Sequence, residues 1–126
     1  SVSTVSRALR GYPDVNPETR KAVKDLAERW HYAPNNIAQS LISKSTHTIG
    51  VLIPEFIYQF YAIALSGIQE VIRKQGYQAL IVQTGESFQA EKESLLMLMG
   101  KRVDGLLVSL SRETDSYGHL AEVLAQ

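Results

Sequence analysis

The sequence predicts an α/β fold in two parts, a short all-α segment followed by a parallel sheet of the βαβαβα kind. Three observations carry this. Apolar residues recur at helical spacing up to about residue 30, whereas apolar runs start near residues 49, 78 and 103. Those intervals suit βαβ units with right-handed crossovers, hence parallel strands. The charge also divides: residues 1–47 hold seven basic side chains against four acidic, and residues 48–126 hold six against nine. Asymmetry of this kind marks a chain with one face for a polyanion, with ordinary scatter over a short stretch as the alternative.

The first helix opens at Ser1, a good N-cap, places Val5 and Leu9 four apart and closes at Gly11-Tyr12-Pro13. The second is capped by Asn16, with Pro17 in the first turn, where its missing N–H costs nothing. Val23, Leu26, Ala27 and Trp30 form its apolar stripe, and Val5, Leu9 and Trp30 are expected in the core. Pro34 disfavours helix at Ala33, so Tyr32-Ala33-Pro34-Asn35 is a break. Residues 36–42 carry Ile37, Leu41 and Ile42 on one side, in a helix too short to persist alone, since isolated helices below about twelve residues are marginal. Residues 43–48 are a polar linker.

In the second half, Ile49-Gly50-Val51-Leu52-Ile53 is a continuous apolar run, as for a strand buried on both faces. A helix from Tyr61 to Gln75 shows Ala64, Leu65, Ile68, Val71 and Ile72 on one face and ends at Gly76. Strands are expected at 77–82 and 103–110, and helices at 90–100 and from His119 onward. A three-stranded parallel sheet ordinarily has further strands and helices on both faces, so the chain is expected to be a fragment.

Composition limits the function. The 126 residues are 44% hydrophobic and 21% charged, too apolar for disorder. No run of about eighteen apolar residues occurs, so no membrane span is expected. The absence of cysteine excludes disulfides and thiolate chemistry and fits a reducing cytoplasm. There is no G-x-S-x-G, H-E-x-x-H or P-loop, and His31, His47 and His119 are scattered without metal-ligand spacing. Neither an enzyme nor a metal or cofactor site is expected.

Particular segments point further. Ser1-Val2-Ser3-Thr4-Val5-Ser6-Arg7-Ala8-Leu9 resembles the turn and recognition helix of LacI/GalR-type bacterial transcription regulators. Val15-Asn16-Pro17-Glu18-Thr19-Arg20 is similar to the start of their third helix, and residues 32–41 to their Y-x-P-N-x-x-A-x-x-L hinge. Thr48-Ile49-Gly50-Val51 and Arg102-Val103-Asp104-Gly105-Leu106 resemble the first and third strands of their core. The likeness runs along essentially the whole chain, and the hinge motif together with V-S-x-T-V-S-R is highly specific.

The resemblance implies a partial helix-turn-helix headpiece over 1–35, lacking its first helix, and a hinge helix and linker over 36–47. Residues 48–126 would be part of the N-terminal lobe of a periplasmic-binding-protein-like, Rossmann-type effector and dimerisation core. It implies a homodimeric repressor on double-stranded operator DNA, cytoplasmic and nucleoid-associated, controlled by a small sugar-like effector. Val2, Ser3 and Arg7 would read bases. Arginine can bond guanine O6 and N7 together, worth roughly 1–3 kcal/mol of discrimination. Ser1, Thr4, Ser6 and Asn16 would hold phosphates, a role compatible with capping at Ser1 and Asn16. For Arg7 the alternative is a solvated helix arginine. Asn35, Ala38 and Leu41 would enter the minor groove, Leu41 as the apolar wedge that partly unstacks a base step.

Ligands in open parallel sheets bind beyond the C-terminal strand ends. After the first strand stands Pro54-Glu55-Phe56-Ile57-Tyr58-Gln59-Phe60-Tyr61, with no glycine and therefore no pyrophosphate fingerprint. The resemblance places Phe60 and Tyr61 in the effector cleft; stapling of the helix start to the sheet is the other reading. Gln83, Thr84 and Ser109 are candidates only because they lie at strand ends. Two positions depart from the family: Tyr58-Gln59 replaces a frequent Asn-Pro, and His31 a frequent glycine, costly if the backbone there is left-handed. A ligand-binding protein of the same core fold with no DNA function is the rival reading, but it needs neither V-S-x-T-V-S-R nor Y-x-P-N.

If Leu41 is the wedge, Leu41→Ala in the protein that carries this chain weakens specific but not non-specific DNA binding. A salt-controlled titration giving equal specific affinities for the two proteins would refute the assignment.

Overall fold

The computed structural model describes residues 1–35, 40 and 43–125, and the chain separates into two compact units, Ser1–Gln39 and Ser40–Gln126. The first contains α1 (Val2–Leu9) and α2 (Pro17–Arg29). The Ser1 hydroxyl accepts from the Thr4 N–H at 3.3 Å, and the Asn16 carbonyl oxygen accepts from the Glu18 N–H at 2.8 Å, so both helices are capped by the expected residues. Between them Arg20 donates to the carbonyls of Tyr12 (2.6 Å) and Val15 (3.1 Å), which ties the turn to the first turns of α2.

Both helices end in the same way. After α1, Gly11 is left-handed at φ 77°; its N–H bonds the Ala8 carbonyl and the next N–H bonds that of Arg7. After α2, His31 takes that place at φ 49°, its N–H on Glu28 and the Tyr32 N–H on Ala27 at 2.8 Å. This is the Schellman arrangement, which satisfies carbonyls the helix itself leaves unpaired. The left-handed turn that makes histidine costly at position 31 is therefore present.

The core of this unit differs from expectation. Ala8 and Val15 are buried, whereas Val5 is 44% and Trp30 73% exposed, and Leu9 is only half-buried. Helices of eight and thirteen residues meeting along one seam bury little, and small Ala8 occupies that seam.

The second unit comprises β1 (Thr48–Ile53), α3 (Gln59–Lys74), β2 (Gln78–Gln83), α4 (Phe88–Gly100), β3 (Gly105–Val108) and α5 (Gly118–Leu124). Its strands are parallel in the order β2-β1-β3, with Val51 opposite both Ile81 and Leu107. The α/β class and the βαβαβα order are as expected; β3 is shorter than the run 103–110. The polypeptide turns at left-handed Arg102 before β3, and beyond it the Ser111 N–H is drawn to a side chain.

Successive crossovers run in opposite directions along the sheet, which puts α3 and α4 on opposite faces. The alternation of β1 serves both. Val51 and Ile53 pack with Leu65, Tyr61 and Ile68 of α3, while Leu52 packs with Leu95 and Leu98 of α4 and with Leu120 and Val123 of α5. Full burial of each such leucine contributes about 1.5–3 kcal/mol. Gly50 lies on the α4 side, where a β-carbon would stand 2.7 Å from Leu106 Cδ2 and 3.1 Å from Leu98 Cδ1. A side chain there would press on the ends of both leucines, and glycine leaves them room.

Glu91 of α4 is fully buried, an unusual place for a carboxylate. It accepts from the Ser111 N–H at 2.6 Å, from the Thr114 hydroxyl at 3.0 Å and from His119 Nε2 at 2.7 Å. Ser111 in turn shares a hydrogen bond with the buried Thr84 hydroxyl at 2.8 Å. His119 therefore has a partner that sequence spacing did not reveal. Burial pushes the Glu91 carboxyl up, but the Ser111 N–H, His119 and the Ser111 and Thr114 hydroxyls together hold it below its ordinary value. One side chain thereby fixes the loop from β3 to α5.

Two outcomes follow for stability. His31→Gly removes a left-handed strain of about 1–2 kcal/mol but adds unfolded-state entropy, so a net gain of about 0.5–1 kcal/mol is expected. An unchanged or lower urea midpoint would contradict it. For Glu91, a lowered folded-state pKa gives stability that is present above the unfolded value of 4.5 and lost as pH falls through the folded one. Glu91→Gln leaves buried donors unmatched at a cost of about 1–3 kcal/mol at neutral pH. Its acid loss below the glutamate range should be shallower than in the parent, and parallel pH–stability curves would refute the role.

Candidate nucleic-acid interface and ligand cleft

The candidate DNA-reading surface is the side of α1 opposite Ala8. Its 3.6-residue period places Val2, Ser3, Ser6 and Arg7 there, and Val2 is 89% exposed. At the helix start the Ser1 hydroxyl bonds those of Ser3 (2.7 Å) and Thr4 (3.0 Å), so three hydroxyls cluster at the N-terminus of α1. Ser6 is half-buried one turn along. Asn16 stands at the start of α2, its carbonyl oxygen engaged in the cap. Short polar side chains at two helix N-termini are suited to phosphate, which the helix dipole also favours.

Among the base-reading candidates, Arg7 is held by residues outside its own helix. Its guanidinium pairs with Asp14 and lies over the Tyr12 ring, 5.6 Å from the centroid. Sequence reasoning missed both residues, because they approach Arg7 across a turn and not at a helical interval. The pair is exposed, and such pairs are worth about 0–1 kcal/mol. That is less than the roughly 1–3 kcal/mol a bidentate guanine contact provides, so Asp14 can aim Arg7 without holding it back. Of the hinge candidates, Asn35 is exposed, while Ala38 and Leu41 lie outside the described residues.

At the other unit, Pro54, Thr84 and Ser109 mark the C-terminal ends of the three strands. A cavity of about 330 Å³ there is lined by Pro54, Tyr58, Phe60, Tyr61, Glu86, Leu110 and Arg112. Phe60 and Tyr61 meet edge to face at 5.2 Å, and the Tyr61 hydroxyl bonds Ser109 at 2.9 Å. The structure thus brings Phe60, Tyr61 and Ser109 together. Gln83 is exposed and outside the cavity lining, and Thr84 is buried with its hydroxyl on Ser111. Two charged residues were not foreseen: Arg112, whose N–H donates to Glu86 at 2.7 Å, and Glu86, whose carboxylate also faces the guanidinium at 3.6 Å. Aromatic faces beside a paired carboxylate and guanidinium can stack on a flat ligand and both accept from and donate to its hydroxyls.

Among the described residues no group of three or more His, Asp or Glu could hold a metal ion, and no helix is long and apolar enough to cross a membrane.

Comparison with known proteins agrees with this two-part layout. Residues 1–35 match the family of bacterial regulatory proteins named for lacI. Catabolite control protein A of Priestia megaterium is 36% identical over 117 residues, covering 93% of this chain and 35% of that protein. A LacI-family transcriptional regulator from Silicibacter pomeroyi superposes with a TM-score of 0.75 at 30% identity, covering 89% of this chain and 34% of the other. The lac repressor dimer bound to operator and the anti-inducer ONPF shares the fold, with a TM-score of 0.83 at 24% identity over 99% of this chain and 37% of that one. The chain thus spans about a third of the length of the curated relatives it matches. With residues 1–35 matching the family model and 89% of its length superposing on a LacI-family regulator at 30% identity, the chain belongs to the lacI family of bacterial regulatory proteins.

Proposed function

We propose that this chain forms the DNA-reading part and a portion of the effector-sensing part of a cytoplasmic transcription repressor that acts as a homodimer and not as an enzyme. Residues 1–35 are the headpiece, 36–47 the hinge and linker, and 48–126 the effector-side core. Double-stranded operator DNA is the macromolecular partner, and a small sugar-like molecule the effector. Val2, Ser3 and Arg7 read base edges; Ser1, Thr4, Ser6 and Asn16 hold phosphates; and Asn35, Ala38 and Leu41 belong to the minor-groove hinge. Phe60 and Tyr61 form the effector cleft, with Ser109 beside them on the Tyr61 hydroxyl. Gln83 stands at its rim, and Thr84 supports the cleft from behind through Ser111.

The observation that carries this reading is the exposed side of α1. Val2 projects into solvent and Arg7 is steered by Asp14 and Tyr12, although neither side chain contributes to the buried core of its unit. An exposed valine at the start of a helix and an aimed arginine in its last turn are of little use to folding, but they suit a major groove, where methyl contact and bidentate bonding distinguish bases. A ligand-binding protein without DNA function leaves this side unexplained.

The test is selection of sites from a random duplex library by the protein that carries this chain. A pseudo-palindromic site is expected, since two-fold protein symmetry imposes it. Arg7→Lys keeps the charge but not the fork, so it should retain non-specific binding and lose about 5–150-fold in discrimination at one base pair per half-site. A selected pool with no shared sequence, or an unaltered preference in Arg7→Lys, would overturn the proposal.

A further inference from the structure

The segment before β1, which composition marks only as a polar linker, gathers around one carboxylate. The Asp104 carboxylate accepts from the Thr46 N–H (2.8 Å), the His47 N–H (3.0 Å) and the Ser45 hydroxyl. The Thr46 hydroxyl donates to the Arg102 carbonyl at 2.7 Å, shorter than its 3.2 Å approach to Asp104. The Asp104 N–H returns to the Thr48 carbonyl at 2.7 Å. One carboxylate therefore binds three consecutive residues more than fifty positions away in the chain. The Ser45 hydroxyl, then the Thr46 and His47 N–H groups and the Thr46 hydroxyl, hold the Asp104 carboxyl below its ordinary range against slight desolvation.

The backbone around this point is strained. Lys44 and His47, neither of them glycine, stand at φ 55° and 49°. Left-handed residues of this kind cost about 1–2 kcal/mol each and persist only where their surroundings over-determine them. Here the surroundings are the Asp104 carboxylate, the Arg102 carbonyl on the Thr46 hydroxyl, the Gln78 N–H on the His47 carbonyl at 2.9 Å and the Tyr77 ring 5.2 Å from that of His47; of these only Asp104 binds three consecutive residues. The strand that bears it is also informative. Four residues of β3 separate Asp104 from Ser109, which bonds Tyr61 in the cleft, and Ser111 beyond it is fixed by Glu91. One short extended strand thus has the linker at its start and the ligand cleft at its end.

We propose that Asp104 is a positioning residue for the linker: its carboxylate is a latch that sets how the chain leaves the sheet toward residues 1–39, and its release lets the strained segment relax. A ligand that engages the Tyr61–Ser109 pair at the far end of β3 then acts on the strand that carries the latch, which gives effector binding a mechanical route to the linker. This consequence rests on the repressor reading above, whereas the latch itself does not.

Trypsin tests the latch without DNA or effector. Cleavage after Lys44 requires Ser45, Thr46 and His47 in the protease groove, so it reports opening of this segment. Asp104→Asn should speed cleavage at Lys44 by about tenfold or more, while cleavage at Lys74 and Arg112 and the urea midpoint stay unchanged. Thr46→Val should show an intermediate increase, and Thr46→Ser, which keeps the hydroxyl, should restore the parent rate. Equal Lys44 rates in Asp104→Asn and the parent would overturn the latch. So would equal acceleration at all three sites with a lowered midpoint, because Asp104 would then support the fold in general and not the linker in particular.

Discussion

Strand β1 is the constraint on which the second unit depends. It pairs with β2 and β3 on its two edges and is covered on both faces, so each of its residues has an assigned direction. A one-residue slip would exchange Val51 and Ile53 for Leu52 and Gly50 against α3, and would press β-branched side chains on Leu98 and Leu106, where Gly50 now leaves room. Gly50 thus sets the register as well as the spacing. The other elements arrange themselves around this strand. Its C-terminal end at Pro54 opens the cleft, and its N-terminal end at Thr48 meets the latched linker.

Two buried or clustered carboxylates then do for the loops what β1 does for the sheet. Glu91 and Asp104 each accept three or more hydrogen bonds from residues distant in sequence, one near each end of β3. The two differ in environment. Glu91 has left water entirely, so breaking its network exposes unmatched donors in a dry interior, whereas Asp104 is exposed and water can replace its partners at small cost. The first is suited to permanent structure and the second to a contact that opens and closes.

Local signals in the sequence specified most of this. Asn16 with Pro17 marks the start of α2 to the residue, and the apolar run 49–53 is a doubly covered strand. The left-handed turn at His31 was foreseeable because helix ends demand one. Less accessible were the groupings that depend on tertiary approach. Arg7 meets Asp14 across a turn, Glu91 meets His119 twenty-eight residues on, and Asp104 meets the linker fifty-six to fifty-nine residues back. No periodicity relates such partners. Val5 and Trp30 failed as core residues for a related reason: apolar type shows a preference for burial, but what covers a side chain depends on the neighbours that the fold supplies.

The split in charge also acquires a physical meaning. Over the first unit the basic surplus is small, and much of it is engaged: Arg20 ties the inter-helix turn and Arg7 is paired with Asp14. A surface built only to attract phosphate would leave such cations unpaired, since each phosphate contact adds affinity irrespective of sequence. Spending arginines on turn geometry and on an aimed side chain lowers that indiscriminate attraction and leaves more of the binding to base contacts. An exposed Arg7–Asp14 pair of small strength fits the proposed function, because a bidentate base contact can replace it at little cost.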